Sequence, residues 1–369
     1  MIICADCQKY LATMEADSID SVVTDPPYEL GFMSKDWDKS GVSFDPEIWS
    51  AVLRVTKSGA CMVAFGGTRT HHRIMCAIED AGWELRDTLC WLQGQGFPKS
   101  KALLKPAWEP IILARKPGPL CELGIDQCRA GTVGGETHSK SAEAAKGRGI
   151  YGSFGAVETD KTPRGRWPSN VVLSHNPPTA TSPGCQRIGM EEVEDWRCEP
   201  SCPVALLDAQ AGERKGAVSN GKRKGSGFAD NWGVMKQAPS YADTGSASRF
   251  FPVFGPDDEE ADRFLYSPKA SRSEREAGTE ALRGWINTAR GLQYKEIGND
   301  HPTVKPIQLM RWLVRLITPE NGTVLDPFSG SGSTGIAAIL ENRQFIGIDN
   351  DSNSVKIARA RMVYWEKSR

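Results

Sequence analysis

The sequence predicts an α/β fold in which both ends of the chain build one sheet around a large insert. Two observations predict it: strand and helix patterns alternate over residues 1–100, and the same alternation resumes after Pro302. A third, a glycine-rich turn between a strand and a helix near the C-terminus, fits the same architecture.

The elements follow in order. Met1–Cys4 reads as a first strand, Tyr10–Met14 as helical, and Ser21–Thr24 as a short apolar strand. Ile48–Val55 has helical spacing and is stopped by Ser58-Gly59. Ala60–Phe65 is an apolar run suited to a buried strand. A helix over Arg73–Ala81 and a strand over Leu85–Leu92 repeat the unit, and the sheet is expected to be parallel. After Pro302 come a helix around Ile307–Ile317, a strand at Thr323–Leu325, a helix over Gly335–Leu340, a strand over Gln344–Ile348 and a final helix over Ser354–Trp365. Between these halves the chain turns rich in Gly, Ser, Pro and basic residues. The expected division is a catalytic domain from 1–115 and 263–369, with an insert at 116–262.

Length and composition narrow the class. At 369 residues the chain is long enough for a full core, and 25% charged with 39% hydrophobic residues is ordinary for a globular protein. No apolar run approaches the roughly 20 residues of a membrane span, and the first residues lack a secretory pattern, so a cytoplasmic location without membrane contact is expected. Ten cysteines are then expected to be reduced. A formal net charge of −1 argues against a polycation, while leaving room for a local basic groove.

Two motifs carry chemistry. The first is Val324-Leu325-Asp326-Pro327-Phe328-Ser329-Gly330-Ser331-Gly332-Ser333-Thr334, a turn that brings backbone close to a ligand. Asp349, about 20 residues on at a strand end, is placed to bind ribose hydroxyls. A dinucleotide loop would carry glycine where Asp326 and Phe328 stand. An acidic opening suits a ligand with a cationic amino-acid end and repels pyrophosphate.

The second is Asp25-Pro26-Pro27-Tyr28, an abrupt proline stop to an apolar strand, beyond which ligand sites of open α/β sheets lie. If the target is an exocyclic amine on a base, as the family resemblance given below implies, it is a poor nucleophile because its lone pair is delocalised into the ring. Two acceptors, the Asp25 carboxylate and the Pro26 carbonyl held by the stiff Pro26-Pro27 pair, would help to localise it, and Tyr28 would stack on the base. Trp91 is either a second wall for the base or a core residue. His71 and His72 read as ordinary polar residues.

With His301-Pro302-Thr303-Val304-Lys305-Pro306 ahead of the loop, these motifs resemble the amino-group DNA methyltransferases with permuted motif order, in which the catalytic tetrapeptide comes first. The resemblance covers the two α/β ends. It implies a Rossmann-like sheet that binds S-adenosylmethionine, with Asp326, Phe328, Gly330, Gly332 and Thr334 around its methionine part and Asp349 at its ribose. It places Asp6 near the adenine ring, and Thr303 and Lys305 at the border of the same pocket. It implies double-stranded DNA as partner, recognised by the insert, as in restriction-modification. Within the family, aspartate at the first tetrapeptide position is commoner in adenine enzymes and serine in cytosine enzymes, so Asp25 favours adenine N6 over cytosine N4. A DNA-binding protein of the same fold without catalysis and an RNA substrate are the rival readings.

In the insert, Lys161, Arg164, Arg166, Arg214, Lys215, Lys222, Arg223 and Lys224 are candidates for phosphate contact. His175, Cys185, Cys198 and Cys202 form the one compact Cys/His group, and the Cys198–Cys202 spacing fits half of a structural zinc site.

Overall fold

A computed structural model describes residues 1–31, 36–92, 104, 107–130, 167–174, 186–187, 196–198, 202–215, 244–251, 253–254, 272–279, 282–288, 291–296, 299 and 304–367. The strands of its main sheet are β1 (Ile2–Cys4), β2 (Ser21–Thr24), β3 (Cys61–Phe65), β4 (Glu84–Leu92), β5 (Trp108–Arg115), β6 (Val171–Ser174), β7 (Val253–Phe254), β8 (Thr323–Asp326) and β9 (Gln344–Asp349). They lie in the order β1-β9-β8-β2-β3-β5-β4-β6-β7. The helices are α1 (Cys7–Thr13), α2 (Pro46–Val55), α3 (His71–Asp80), α4 (Pro203–Ala211), α5 (Arg272–Glu276), α6 (Ile307–Ile317), α7 (Ser333–Leu340) and α8 (Ser352–Lys367).

Both ends of the chain do build one sheet: β9 pairs with β1, and β8 pairs with β2, each in parallel. The two faces separate by strand periodicity. Val23, Val63, Phe65 and Val324 point to a core shared with α6 and α7. Val22, Met62, Ala64 and Leu325 point to a second core under α1, α2 and α3. Fully burying one such side chain stabilises the fold by about 1.5–3 kcal/mol.

The expectation of an all-parallel sheet is corrected. β5 runs antiparallel to both β3 and β4, so the sheet is mixed. Its run Pro110-Ile111-Ile112-Leu113-Ala114 is apolar and buried on both faces, a pattern that tells of burial and leaves direction open. The expected insert also reaches into the sheet: Val171–Ser174 pairs in parallel with β4, and Val253–Phe254 pairs with Val171–Ser174 in turn. Nor is residue 116 a break in packing, since Cys128 is buried against α6 together with Leu123 and Ile125.

Strand order changes direction between β8 and β2. From β8 the chain passes through α7 to β9 on one side, and from β2 through α2 to β3 on the other. The two crossover helices bury into opposite faces, so a crevice opens at the carboxyl ends of these neighbouring strands. Asp25 and Asp326 stand there.

Candidate active site

The tetrapeptide leaves β2 at this crevice. Pro26 is buried, and Asp25, Pro27 and Tyr28 are partly exposed. Asp25 Oδ2 accepts a hydrogen bond from Lys305 Nζ, while its buried Oδ1 has no hydrogen-bond partner. Tyr28 donates its hydroxyl to Glu109 Oε2 at 3.1 Å, and its carbonyl accepts from Thr70 Oγ1 at 2.7 Å. Burial, with the Asp25 and Glu109 charges behind it, pushes the Tyr28 phenol well above its usual range, so it is a donor at any physiological pH.

The exit from the tetrapeptide is pinned by a residue that the sequence reading missed. Asp38 is 2% exposed and accepts from Glu29 N at 2.9 Å and Leu30 N at 3.2 Å. These bonds hold Glu29 at φ +55°, a left-handed conformation that costs a non-glycine residue about 1–2 kcal/mol. Only an aspartate followed by turn chemistry marks Asp38 in the sequence.

Across the crevice, Asp326 ends β8 and is satisfied on both oxygens. Oδ1 accepts from Thr24 Oγ1 at 2.7 Å and Phe328 N at 3.1 Å, and Oδ2 accepts from Thr334 Oγ1 at 2.6 Å. Burial raises its carboxyl from 3.8 to about 6, although these three donors pull the other way. Asp349 closes β9 with Oδ2 accepting from Gly330 N and Oδ1 from Asp351 N, both at 2.8 Å; burial raises its pKa as well. Gly330 and Gly332 take φ of +49° and +81°, which lets the turn fold back on Asp349 and start α7. Phe328 packs at a tilt on Trp49, with ring centroids 6.3 Å apart. Asp6 is exposed and caps α1 through Lys9 N at 3.0 Å; Ala5 N donates to Asp349 O at 2.9 Å, so Asp6 lies beside the end of β9.

Beneath the turn lies a second group that sequence reasoning missed. Arg361 of α8 has no exposed surface and donates to Ser331 O at 2.7 Å, Ser331 Oγ at 3.1 Å and Glu274 O at 3.0 Å. The Glu274 carboxylate in turn accepts from Ile307 N at 2.5 Å, at the start of α6. The turn and the segment carrying Lys305 are thereby tied to one helix, α5. Arg361 reads as one more base in the run Lys356–Arg361 until its burial is seen.

These residues fit S-adenosylmethionine. Two carboxyls, Asp326 and Asp349, have ionisation suppressed by burial, an environment that a cationic ligand with donor hydroxyls relieves. Ser329 Oγ, within the turn, is buried without a hydrogen-bond partner, as is Asp25 Oδ1.

Other expectations fare differently. Trp91 is 1% exposed and packs edge-on against Phe65 in the core, which favours its core reading over a wall for the base. His71 starts α3 with its ring edge-on to Trp108. Thr303, Lys161, Arg164, Arg166, Lys222, Arg223, Lys224, His175 and Cys185 lie outside the described residues. Of the four zinc candidates that leaves Cys198 and Cys202. Both belong to a small apolar cluster with Leu173 and Val204, and among the described residues no group of three or more His, Cys, Asp or Glu side chains gathers to hold a metal. The zinc expectation therefore gains no support. Arg214 and Lys215 form a two-residue strand paired with Thr244 and Gly245. No helix among the described residues is long and apolar enough to cross a membrane.

A doubly wound sheet with an acidic, glycine-rich turn at its switch point is the sheet of S-adenosylmethionine-dependent methyltransferases. Within that class the chain belongs to the N6/N4 DNA methylase family, whose profile matches residues 19–360. A Type II methyltransferase of Lactococcus lactis subsp. cremoris, M2.LlaDCHI, is 45% identical over 62 residues, 17% of this chain and 23% of that protein. The match thus spans about a quarter of that relative's length. The Type II methyltransferase M.SfiI of Streptomyces fimbriatus is 24% identical over 387 aligned positions, 93% of this chain and 86% of that protein. The crystal structure of the M1.HpyAVI-SAM complex superposes with a TM-score of 0.45 at 16% identity, covering 98% of each chain.

Proposed function

We propose that this protein transfers a methyl group from S-adenosylmethionine to the N6 amine of adenine in double-stranded DNA. The observation that carries the reading is the unpartnered, buried Oδ1 of Asp25 at the crevice between β2 and β8, across from the Asp326 turn. When bound, S-adenosylmethionine supplies an electrophilic methyl on a sulfonium that departs as a neutral thioether.

The chain's own residues prepare the nucleophile. Asp25 Oδ1 and the Pro26 carbonyl accept the two amine hydrogens, which returns lone-pair density to nitrogen as its new bond to the methyl carbon forms. The nitrogen then carries a formal positive charge and releases one proton to the Asp25 carboxylate, the more basic of its two acceptors. Turning the base out of the duplex costs a few kcal/mol, and stacking on Tyr28 offsets roughly 1–3 kcal/mol of it. Asp326, Phe328, Ser329, Gly330, Gly332 and Thr334 are assigned to the methionine end, Asp349 to the ribose and Asp6 to the adenine side of the cofactor. Residues 1–115 and 263–369 are assigned to catalysis and 116–262 to target recognition, with β6 and β7 as the part of the insert that joins the sheet.

Adenine rests on Asp25 at the head of the tetrapeptide, since the family includes both N6 and N4 enzymes. Incubating DNA with methyl-labelled cofactor and analysing the nucleosides tests it. N6-methyladenine is the expected product, N4-methylcytosine would overturn the choice of base, and transfer to RNA in preference to duplex DNA would overturn the substrate. Labelling absent from every nucleic acid would leave the rival, a DNA-binding protein without catalysis. Zinc on His175, Cys185, Cys198 and Cys202 is a separate proposal, refuted by chelator-free protein that holds no stoichiometric metal.

A further inference from the structure

We infer that Lys305 is a positioning residue for Asp25, holding Oδ2 so that Oδ1 is the oxygen presented to the target amine, in place of the cofactor contact that family resemblance implies. The inference rests on the methyl-transfer reading above.

Lys305 is 2% exposed, and its ammonium donates to Asp25 Oδ2. The same nitrogen lies 4.5 Å from the centre of the Phe65 ring and 5.3 Å from that of Tyr28. A buried ammonium must be compensated, and here a carboxylate and two aromatic faces do so. The backbone around it is equally fixed. Val304 is buried, and Ile307 N is held by Glu274 at the start of α6. Lys305 is thus part of a preset frame instead of a swinging side chain.

The consequence for Asp25 is geometric. A carboxylate rotates about a broad, two-fold torsion, so the direction in which its free oxygen points is loosely set unless a partner fixes its plane. Pinning one oxygen fixes that plane and spends the ordering entropy before the base arrives. Among the described residues, the charged and titratable groups facing Asp25 are Lys305, Tyr28 and, from β8, Asp326, with Glu109 behind Tyr28. Lys305 is the one cation among these.

The test uses full-length protein, K305M and K305R, with calorimetric binding of S-adenosylmethionine and steady-state transfer to unmethylated genomic DNA. For K305M we expect cofactor Kd within about 2-fold of wild type, kcat lowered about 100-fold and KM for DNA changed less than about 3-fold. K305R should recover at least roughly 10-fold of kcat, because it restores a donor and a cation. Retained cofactor binding shows that each variant is folded, and if K305M unfolds, K305R and K305Q make the same comparison. K305M that binds cofactor about 10-fold more weakly, yet reaches wild-type kcat at saturation, overturns the inference and restores Lys305 to the cofactor. A wild type that methylates no DNA overturns the methyl-transfer reading and this inference with it.

Discussion

Thr24 donates its hydroxyl to Asp326 Oδ1 at 2.7 Å, joining the residue before Asp25-Pro26-Pro27-Tyr28 to the residue that opens the glycine-rich turn, 302 positions away. Both groups are buried, at 0% and 2% exposure, and they belong to adjacent parallel strands. Neutral hydroxyls from Thr24 and Thr334 solvate the carboxyl in place of a cation. The proposed nucleophile side and the proposed methyl-donor side of the crevice therefore share one polar contact, and its strength depends on the charge of Asp326.

That charge sets a pH dependence. The folded pKa of about 6 lies above the ordinary 3.8, so between those values the folded chain binds more protons than the unfolded one. Stability from this group is fully present below 3.8 and lost as pH rises through about 6, a change of about 3 kcal/mol. D326N should flatten that portion of a urea-unfolding series run from pH 4 to 8, and T24V should shift it to higher pH by removing a donor. A cationic ligand favours the ionised form, so cofactor binding near pH 6 should release a proton. Calorimetry in two buffers of different ionisation enthalpy reads that release directly. An unchanged D326N profile would reject the assignment.

Gly332 offers a packing test. At φ +81°, a Cβ there would meet the Ala358 Cβ at 2.8 Å, whereas Gly212, at φ +63°, has nothing within 4 Å. G212A should cost only the backbone term, about 1 kcal/mol; G332A should cost that and the clash, roughly 2–4 kcal/mol, and weaken cofactor binding. Denaturant midpoints of the two variants measured side by side check the difference.

The parts of this fold that were legible are those whose signal is local. The short apolar runs in Ser21–Thr24, Cys61–Phe65 and Thr323–Asp326 report a buried strand within a few residues, and Pro26-Pro27 and the Gly330/Gly332 turn report where such strands stop. Trp108–Arg115 was just as apolar, but strand direction is set by the connection before it, which has no period to read. The charge partners were illegible for a related reason. Lys305 and Asp25 are 280 residues apart, and Tyr28 and Glu109 are 81 apart, so their pairing is a property of tertiary packing alone. A lysine and a glutamate look like surface residues until the sheet buries them.

Arg361 makes the same point energetically. Its guanidinium is fully buried and holds the carbonyls of Ser331 and Glu274. R361M removes the charge but orphans both acceptors, and should destabilise the protein by about 3 kcal/mol or more. R361K should recover little, since one ammonium does not reproduce a planar fork spanning two carbonyls. Because the Ser331 carbonyl belongs to the turn proposed to hold the cofactor, both variants should also loosen cofactor binding. Thermal unfolding with and without saturating S-adenosylmethionine separates the two effects: a ligand-induced rise in Tm smaller than wild type's marks loss of affinity beyond loss of stability.

Tyr28 separates stacking from anchoring. Its ring is the proposed platform for the base, and its hydroxyl is held by Glu109, itself 7% exposed on β5. Y28F keeps the ring but withdraws one donor from a buried carboxylate, so it should lower stability by about 1–3 kcal/mol while changing kcat/KM for DNA less than about 10-fold. Y28A removes the platform and should lower kcat/KM by roughly 5-fold to 150-fold, the equivalent of 1–3 kcal/mol of lost stacking. E109Q supplies the control, because a neutral amide still accepts the phenol's hydrogen bond. If the carboxylate only anchors the ring, E109Q keeps transfer near the wild-type rate. If E109Q is as slow as Y28A, the charge of Glu109 acts on the base or the amine itself, and the anchoring role assigned to it is wrong.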